Sequence, residues 1–187
     1  MNEGNGTHLR FIGLEQLKSL LTKIVVGVDP AVTCHDESSE TGIVVAGRLN
    51  CGRFCVLDDQ SGRYPAHVWG QKIIDAYDTW QANCIVAEVN QGGDLVKEMI
   101  CMHRRDINFK AVRAMRGKFS RAEPVSVLYK KHTVWHRKKF EDLEKQMFAF
   151  TKERGVKADR VDAMVWAMTE LMHEEEPPPI FRVHRLI

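Results

Sequence analysis

No stretch of roughly eighteen apolar residues occurs in the chain, so no transmembrane helix is expected. Charge of one sign is not in excess either: 27 Lys and Arg stand against 25 Asp and Glu, a formal net charge of +2. The protein is not a polycation, and any contact with nucleic acid has to come from local basic patches. Its five cysteines are odd in number and follow no framework spacing, which suits reduced thiols in a cytosol-like compartment. Cys51 and Cys55 stand close together and Cys34 precedes His35, but no second pair completes either at zinc-finger spacing. The acidic loop over 31–41 carries Asp36, Glu37 and Glu40 yet lacks the spacing and central Gly of a helix–loop–helix calcium site. Residues 1–10 are polar and Gly-rich, without the basic-then-apolar layout of a signal peptide. There is no internal repeat and no low-complexity block.

What is present is an apolar fraction of 44%, enough for a real core, in a chain of 187 residues that suits one domain with tails. The boundaries read as a tail and linker helix over 1–23, a main domain over 24–176 and a tail over 177–187. Leucines at helical spacing predict a helix within 9–23. Residues 24–30 are a β-branched run that ends in Asp29-Pro30, the mark of a buried strand that stops there. Residues 42–49 and 53–57 read as two further strands with short links, an antiparallel meander, and Asp58 to Gly62 as a turn cluster. Helical and strand patterns then alternate: helix from Pro65, strand 83–89, helix from Gly92-Gly93, strand 108–112, helix 119–132 and strand 133–135. Helices over 140–150 and 159–174 close the series. The order βββαβαβαβαα predicts an α/β fold with a mixed central sheet, its first three strands antiparallel and helices on both faces.

Three separate segments each place an acid at an element end: Asp29, Glu88, and Asp159 with Asp162. Residues three apart on a helix share a face, so Asp159 and Asp162 can look at one point, although Asp159 could equally cap the helix. Asp162 and Glu88 sit among apolar neighbours, where an unpaired buried carboxylate is costly. Carboxylates that converge repel one another, and a divalent cation with a taste for hard oxygen ligands, Mg²⁺ or Mn²⁺, resolves the repulsion. Two such ions can polarise a phosphodiester and activate water on one side while stabilising the departing 3′ oxygen on the other.

Five blocks carry a resemblance. They are Val26-Gly27-Val28-Asp29-Pro30-Ala31, Glu40-Thr41-Gly42-Ile43-Val44-Val45-Ala46-Gly47, Ile85-Val86-Ala87-Glu88-Val89-Asn90-Gln91-Gly92-Gly93-Asp94, Arg121-Ala122-Glu123-Pro124 and Asp159-Arg160-Val161-Asp162-Ala163-Met164-Val165-Trp166-Ala167. In this order they resemble the nuclease domain of tailed-phage terminase large subunits, over about residues 24–171. The resemblance implies a ribonuclease H-like fold and a metal-dependent endonuclease, with two Mg²⁺ or Mn²⁺ ions, that cuts double-stranded DNA concatemers during phage genome packaging in the host-cell cytoplasm. It implies Asp29 and Glu88 as metal ligands and catalytic residues, with the third drawn from Asp159 and Asp162. It also implies an ATPase domain or subunit, a portal protein and a small terminase subunit as partners, and no membrane. A nucleotide-binding G-x-x-x-x-G-K-[ST] is missing: Gly117-Lys118 is followed by Phe119 and lacks the earlier Gly. The chain alone is therefore not expected to hydrolyse ATP. It reads as an excised domain or a separately encoded nuclease.

Arg113, Arg116, Lys118 and Arg121 cluster after the fifth strand, and Lys130 and Lys131 open a second basic run; with Asn90 they are the candidate DNA contacts, a portal contact being the alternative for Arg116, Lys118 and Arg121. Phosphate neutralisation by such residues is sequence-independent and salt-sensitive. Gly92-Gly93 at a helix start can offer backbone N–H groups to a phosphate. Trp69, Trp80, Trp135 and Trp166 lie on apolar faces and read as core. Two other functions fit the same elements: a resolvase-like or transposase-like nuclease on branched DNA, and a non-enzymatic docking domain. The full set of acids argues against the second.

Overall fold

The computed structural model describes residues 13–30, 40–89, 93–115, 117–152 and 157–173. The two tails, most of the loop over 31–41, Asn90, Gly92 and Arg116 lie outside the described residues. The elements run α1 (Leu14–Leu20), β1 (Leu21–Asp29), β2 (Gly42–Leu49), β3 (Phe54–Asp59), α2 (Ala66–Trp80), β4 (Cys84–Glu88) and α3 (Gly93–His103). Then come β5 (Phe109–Val112), α4 (Lys118–Lys130), β6 (Val134–His136), α5 (Glu141–Lys152) and α6 (Asp159–Met172). The six strands form one sheet in the order β5-β4-β1-β2-β3-β6. β1, β2 and β3 pair antiparallel, while β4, β5 and β6 join parallel to their neighbours. The predicted mixed sheet with an antiparallel opening is the observed one.

Most element ends shift by a residue or two, and at two places a segment read as helix or turn is strand. β1 starts at Leu21, inside the predicted helix, because Leu21 to Lys23 pairs with the far end of β2 across a register shift. Asp58 and Asp59 belong to β3 rather than to a turn. They pair with Val45 and Val44 across a second irregularity, and their carboxylates are satisfied locally: Asp58 accepts from Gln60 Nε2 at 2.8 Å and Asp59 from the Ser61 amide at 3.0 Å. Turn-type residues in a strand are tolerated when their side chains have such partners.

Alternation along the strands builds two cores. Val25 of β1, Val44 and Ala46 of β2, Val56 of β3 and Val86 of β4 pack under α4, α5 and α6. Val26, Val28, Ile43, Val45, Leu57 and Ile85 face α1, α2 and α3 on the other side. A strand covered on both faces is apolar at every position, which is why β1 and β4 read as continuous runs. α6 lies directly on β1 and β2, and glycines make this possible. A Cβ at Gly27 would stand 2.1 Å from the Ala163 carbonyl oxygen, and one at Gly42 2.1 Å from that of Asp159. Ala163 and Ala167 give the helix a correspondingly small face. Close approach of backbone to backbone requires residues without side chains on the sheet side.

Candidate active site

Two-residue periodicity decides where the acids point. Val25, Gly27 and Asp29 lie on the α6 face of β1, as Cys84, Val86 and Glu88 do on β4. β1 and β4 are parallel neighbours, with Val28 paired to Ala87, so Asp29 and Glu88 end adjacent strands side by side. Across β1 on the other side, Asp29 pairs with Gly42, on which the backbone of Asp159 rests. Asp159 is the first residue of α6, and the cap position belongs to Ala158, so the capping role does not fall to Asp159. Asp162, one turn on, is buried. The carboxyl groups of Asp29, Glu88, Asp159 and Asp162 thus gather where α6 starts over the carboxyl ends of β1 and β4.

Their charges are felt. Burial, followed by the carboxylates of Asp162, Glu88 and Asp159, pushes the Asp29 carboxyl up to about 8, against the opposing pull of Lys118. Asp159 and Asp162 are raised as well, each chiefly by burial, with Lys118 again opposing. The repulsion is offset from α4. Lys118 Nζ lies 2.5 Å from Asp162 Oδ2. Arg121 reaches Glu88 Oε2 through Nη1 at 2.9 Å and Asp162 Oδ1 through Nη2 at 3.7 Å. The guanidinium lies over the Trp166 ring at 4.7 Å, and the Trp166 indole N–H donates to the same Glu88 oxygen at 2.9 Å. As the side chains stand, no three His, Cys, Asp or Glu among the described residues are close enough together to hold a metal ion. Lys118 and Arg121 lie among the acids instead.

The expected basic surface is therefore divided. Lys118 and Arg121, candidate DNA contacts in the sequence, are turned onto Glu88 and Asp162. Arg113, Lys130 and Lys131 are exposed. Lys130 and Lys131 stand at the far end of α4, about 18 Å along its axis from Lys118. Asn90 and Arg116 lie outside the described residues. An open apolar groove of about 690 Å³ between α4, α5 and α6 is lined by Phe119, Tyr129, Met147, Phe150, Met164 and Val165 among others, and none of the four acids faces it.

Sequence reasoning missed two supports. Trp166 reads as plain core, yet it stands four residues after Asp162, on the same helical face, and orients Glu88. Arg160 enters the sequence reading only as a member of the fifth block, with no role of its own. In the fold it bonds Glu40 through Nε at 3.0 Å and Nη2 at 2.5 Å, and Asp59 through Nη1 at 2.7 Å. Gln146 completes the network, donating to Glu40 and accepting from the Arg160 amide. This ties the start of α6, and with it Asp159 and Asp162, to β3 and to the chain entering β2. No local periodicity marks Arg160. Its placement in the fifth block is the only available signal.

Chemically, four carboxylates supply hard oxygen donors, and two of them, Glu88 and Asp162, are already drawn to cations, a donor set that suits a divalent cation. Asp29, Glu88, Asp159 and Asp162 are the residues that could hold it. Compared with known proteins, the family profile described as a terminase RNaseH-like domain matches residues 26–171. No curated protein is a significant match. The large terminase nuclease from thermophilic phage G20c has a similar structure, with a TM-score of 0.60 at 12% identity over 79% of this chain and 82% of that one. The yeast mitochondrial Holliday junction resolvase Ydc2 gives 0.49 at 11% identity, covering 79% of this chain and 77% of its own. RuvC from T. thermophilus in complex with Holliday junction substrate gives 0.48 at 14%, covering 78% and 91%. At 12% identity the likeness to the phage nuclease is one of fold, and with the family match the fold is ribonuclease H-like.

Proposed function

Because this chain belongs to the terminase RNase H-like domain family, we propose that it is a metal-dependent endonuclease that hydrolyses phosphodiester bonds of double-stranded DNA, cutting concatemers during phage genome packaging. The observation that carries this reading is the meeting of Asp29, Glu88 and Asp162 from three elements, with the Asp29 carboxyl pushed up to about 8 by burial and by its acidic neighbours. Asp29, Glu88, Asp159 and Asp162 are the proposed ligands. Two bound Mg²⁺ or Mn²⁺ ions would supply the positive charge that favours attack of water on a phosphodiester and departure of its 3′ oxygen. Around them, Trp166 and Arg121 hold Glu88 in one orientation, and the Arg160 network holds the start of α6 to β3 and to the chain entering β2. Arg113, Arg116, Lys130, Lys131 and Asn90 are proposed to meet the DNA backbone. The portal, the ATPase and the small terminase subunit are the partners this role calls for, in the cytoplasm of the infected host.

The test is cleavage of supercoiled plasmid. Mn²⁺ or Mg²⁺ is expected to give linear and then degraded DNA, EDTA to stop it, and Asp29→Ala or Glu88→Ala to abolish it. Activity that survives Asp29→Ala would displace the site from these acids. A strong preference for four-way junctions over linear duplex would instead make the enzyme a resolvase-like nuclease on branched DNA.

A further inference from the structure

We propose that Lys118 is a built-in counter-ion of the acidic site, which a divalent cation has to displace, so that the first turn of α4 regulates metal entry. The proposal rests on the metal-nuclease reading above and adds a device to it. Among the described residues, two cations of α4 pair with Glu88 and Asp162, and they are held very differently. Arg121 bonds Glu88 and Asp162, lies over Trp166, is 15% exposed at its side chain and keeps Nε enclosed without a hydrogen-bond partner. Leaving would break several contacts at once, and its planar fork is suited to staying. Lys118 has a single ion pair, to Asp162 Oδ2, and a long contact to the Phe150 ring at 6.0 Å. Its side chain is 30% exposed, so the ammonium can swing into water on its four-carbon stem at small cost. Lys118 thus occupies, electrostatically, the place of the ion. A divalent cation on the Asp162 oxygens and an ammonium 2.5 Å from one of them exclude each other by charge and by space. Arg121 is the fixed counter-charge, compatible with either state, and Lys118 the exchangeable one.

The experiment is titration of the full chain with Mn²⁺ alone, followed by calorimetry, for wild type, Lys118→Met, Lys118→Gln, Lys118→Arg and Glu88→Ala. Lys118→Met keeps the apolar stem and removes the charge. It is expected to bind Mn²⁺ about tenfold more tightly than wild type, with Lys118→Gln close behind and Lys118→Arg within about twofold of wild type. A merely structural lysine would lose affinity, or leave it alone, when replaced, so tightening is the diagnostic sign. Mn²⁺ affinity unchanged or weaker in both Lys118→Met and Lys118→Gln overturns the counter-ion role, whichever of the two folds better. Should Glu88→Ala bind Mn²⁺ as wild type does, the acids are not the metal site and the underlying nuclease reading falls with the proposal. Loss of binding in Glu88→Ala with no gain in the Lys118 variants overturns the counter-ion role alone.

Discussion

Gly27→Ala adds one methyl group where α6 comes closest to β1, and its effect can be worked from the surrounding atoms. The new Cβ would stand 2.1 Å from the Ala163 carbonyl oxygen, 2.8 Å from the Ala167 amide nitrogen and 2.9 Å from the Ala167 Cβ. Ordinary contact needs roughly 3.5 Å, so the gap has to open by more than about 1 Å. Two of the three atoms are helix backbone and the third is a methyl fixed to it, so no side chain can turn aside. α6 has to move as a body. In an open strand position the same change would stabilise by about 0.4–1 kcal/mol through the unfolded chain, because Gly27 has no positive φ. Over-packing of about 1–3 kcal/mol opposes this, and with backbone as the obstacle the upper part of that range applies. A net loss of about 2 kcal/mol is expected, read as a lower urea midpoint at unchanged slope. Because α6 carries Asp162 and Trp166, cleavage by the folded variant should fall further than the small loss of folded protein explains. A Gly27→Ala protein as stable as wild type would refute the account of how α6 is seated.

Two further predictions concern charge. Arg160→Met leaves Asp59, 4% exposed at its side chain, and Glu40 without their cation, and should cost about 3 kcal/mol in urea unfolding. Adding Asp59→Asn and Glu40→Gln should restore at least half of it, and a loss under about 1 kcal/mol would mean that water already solvates the network. Glu170 lies between Lys110 at 2.6 Å and Lys23 at 3.0 Å; burial alone would raise its carboxyl, but these hydrogen bonds outweigh it and hold it below its ordinary value of 4.5. A depressed carboxyl contributes stability above pH 4.5 and loses it as pH falls through the native value, so Glu170→Gln should cost about 1 kcal/mol at pH 7 and nothing at the acid end. Parallel stability–pH curves for wild type and Glu170→Gln below pH 4.5 would contradict this.

Much of the fold can be read from residues alone because burial on both faces leaves a coarse mark. β1, β2 and β4 are near-continuous β-branched runs, and α6 has an apolar stripe, so their existence and order follow from composition over short windows. Ends are less legible. Asp58 and Asp59 look like a turn and form a strand, since pairing with β2 and local partners for both carboxylates outweigh their preference. The acids stand out for a related reason: Glu88 and Asp162 interrupt apolar stretches, and a charge in such a place needs a partner wherever the chain folds.

What the sequence determined by itself is therefore the set of elements, the mixed sheet and the four carboxylates at element ends. The tertiary structure decided which charges meet. Lys118, Arg121 and Arg160 look alike along the chain, as cations on helices that water could solvate. Folding sets Arg121 between Glu88 and Asp162, Lys118 on Asp162, and Arg160 between Glu40 and Asp59. The physical reason is that an ion pair depends on distance and burial in space. Residues brought within 4 Å of one another by the packing of helices on the sheet carry no local periodicity that announces it.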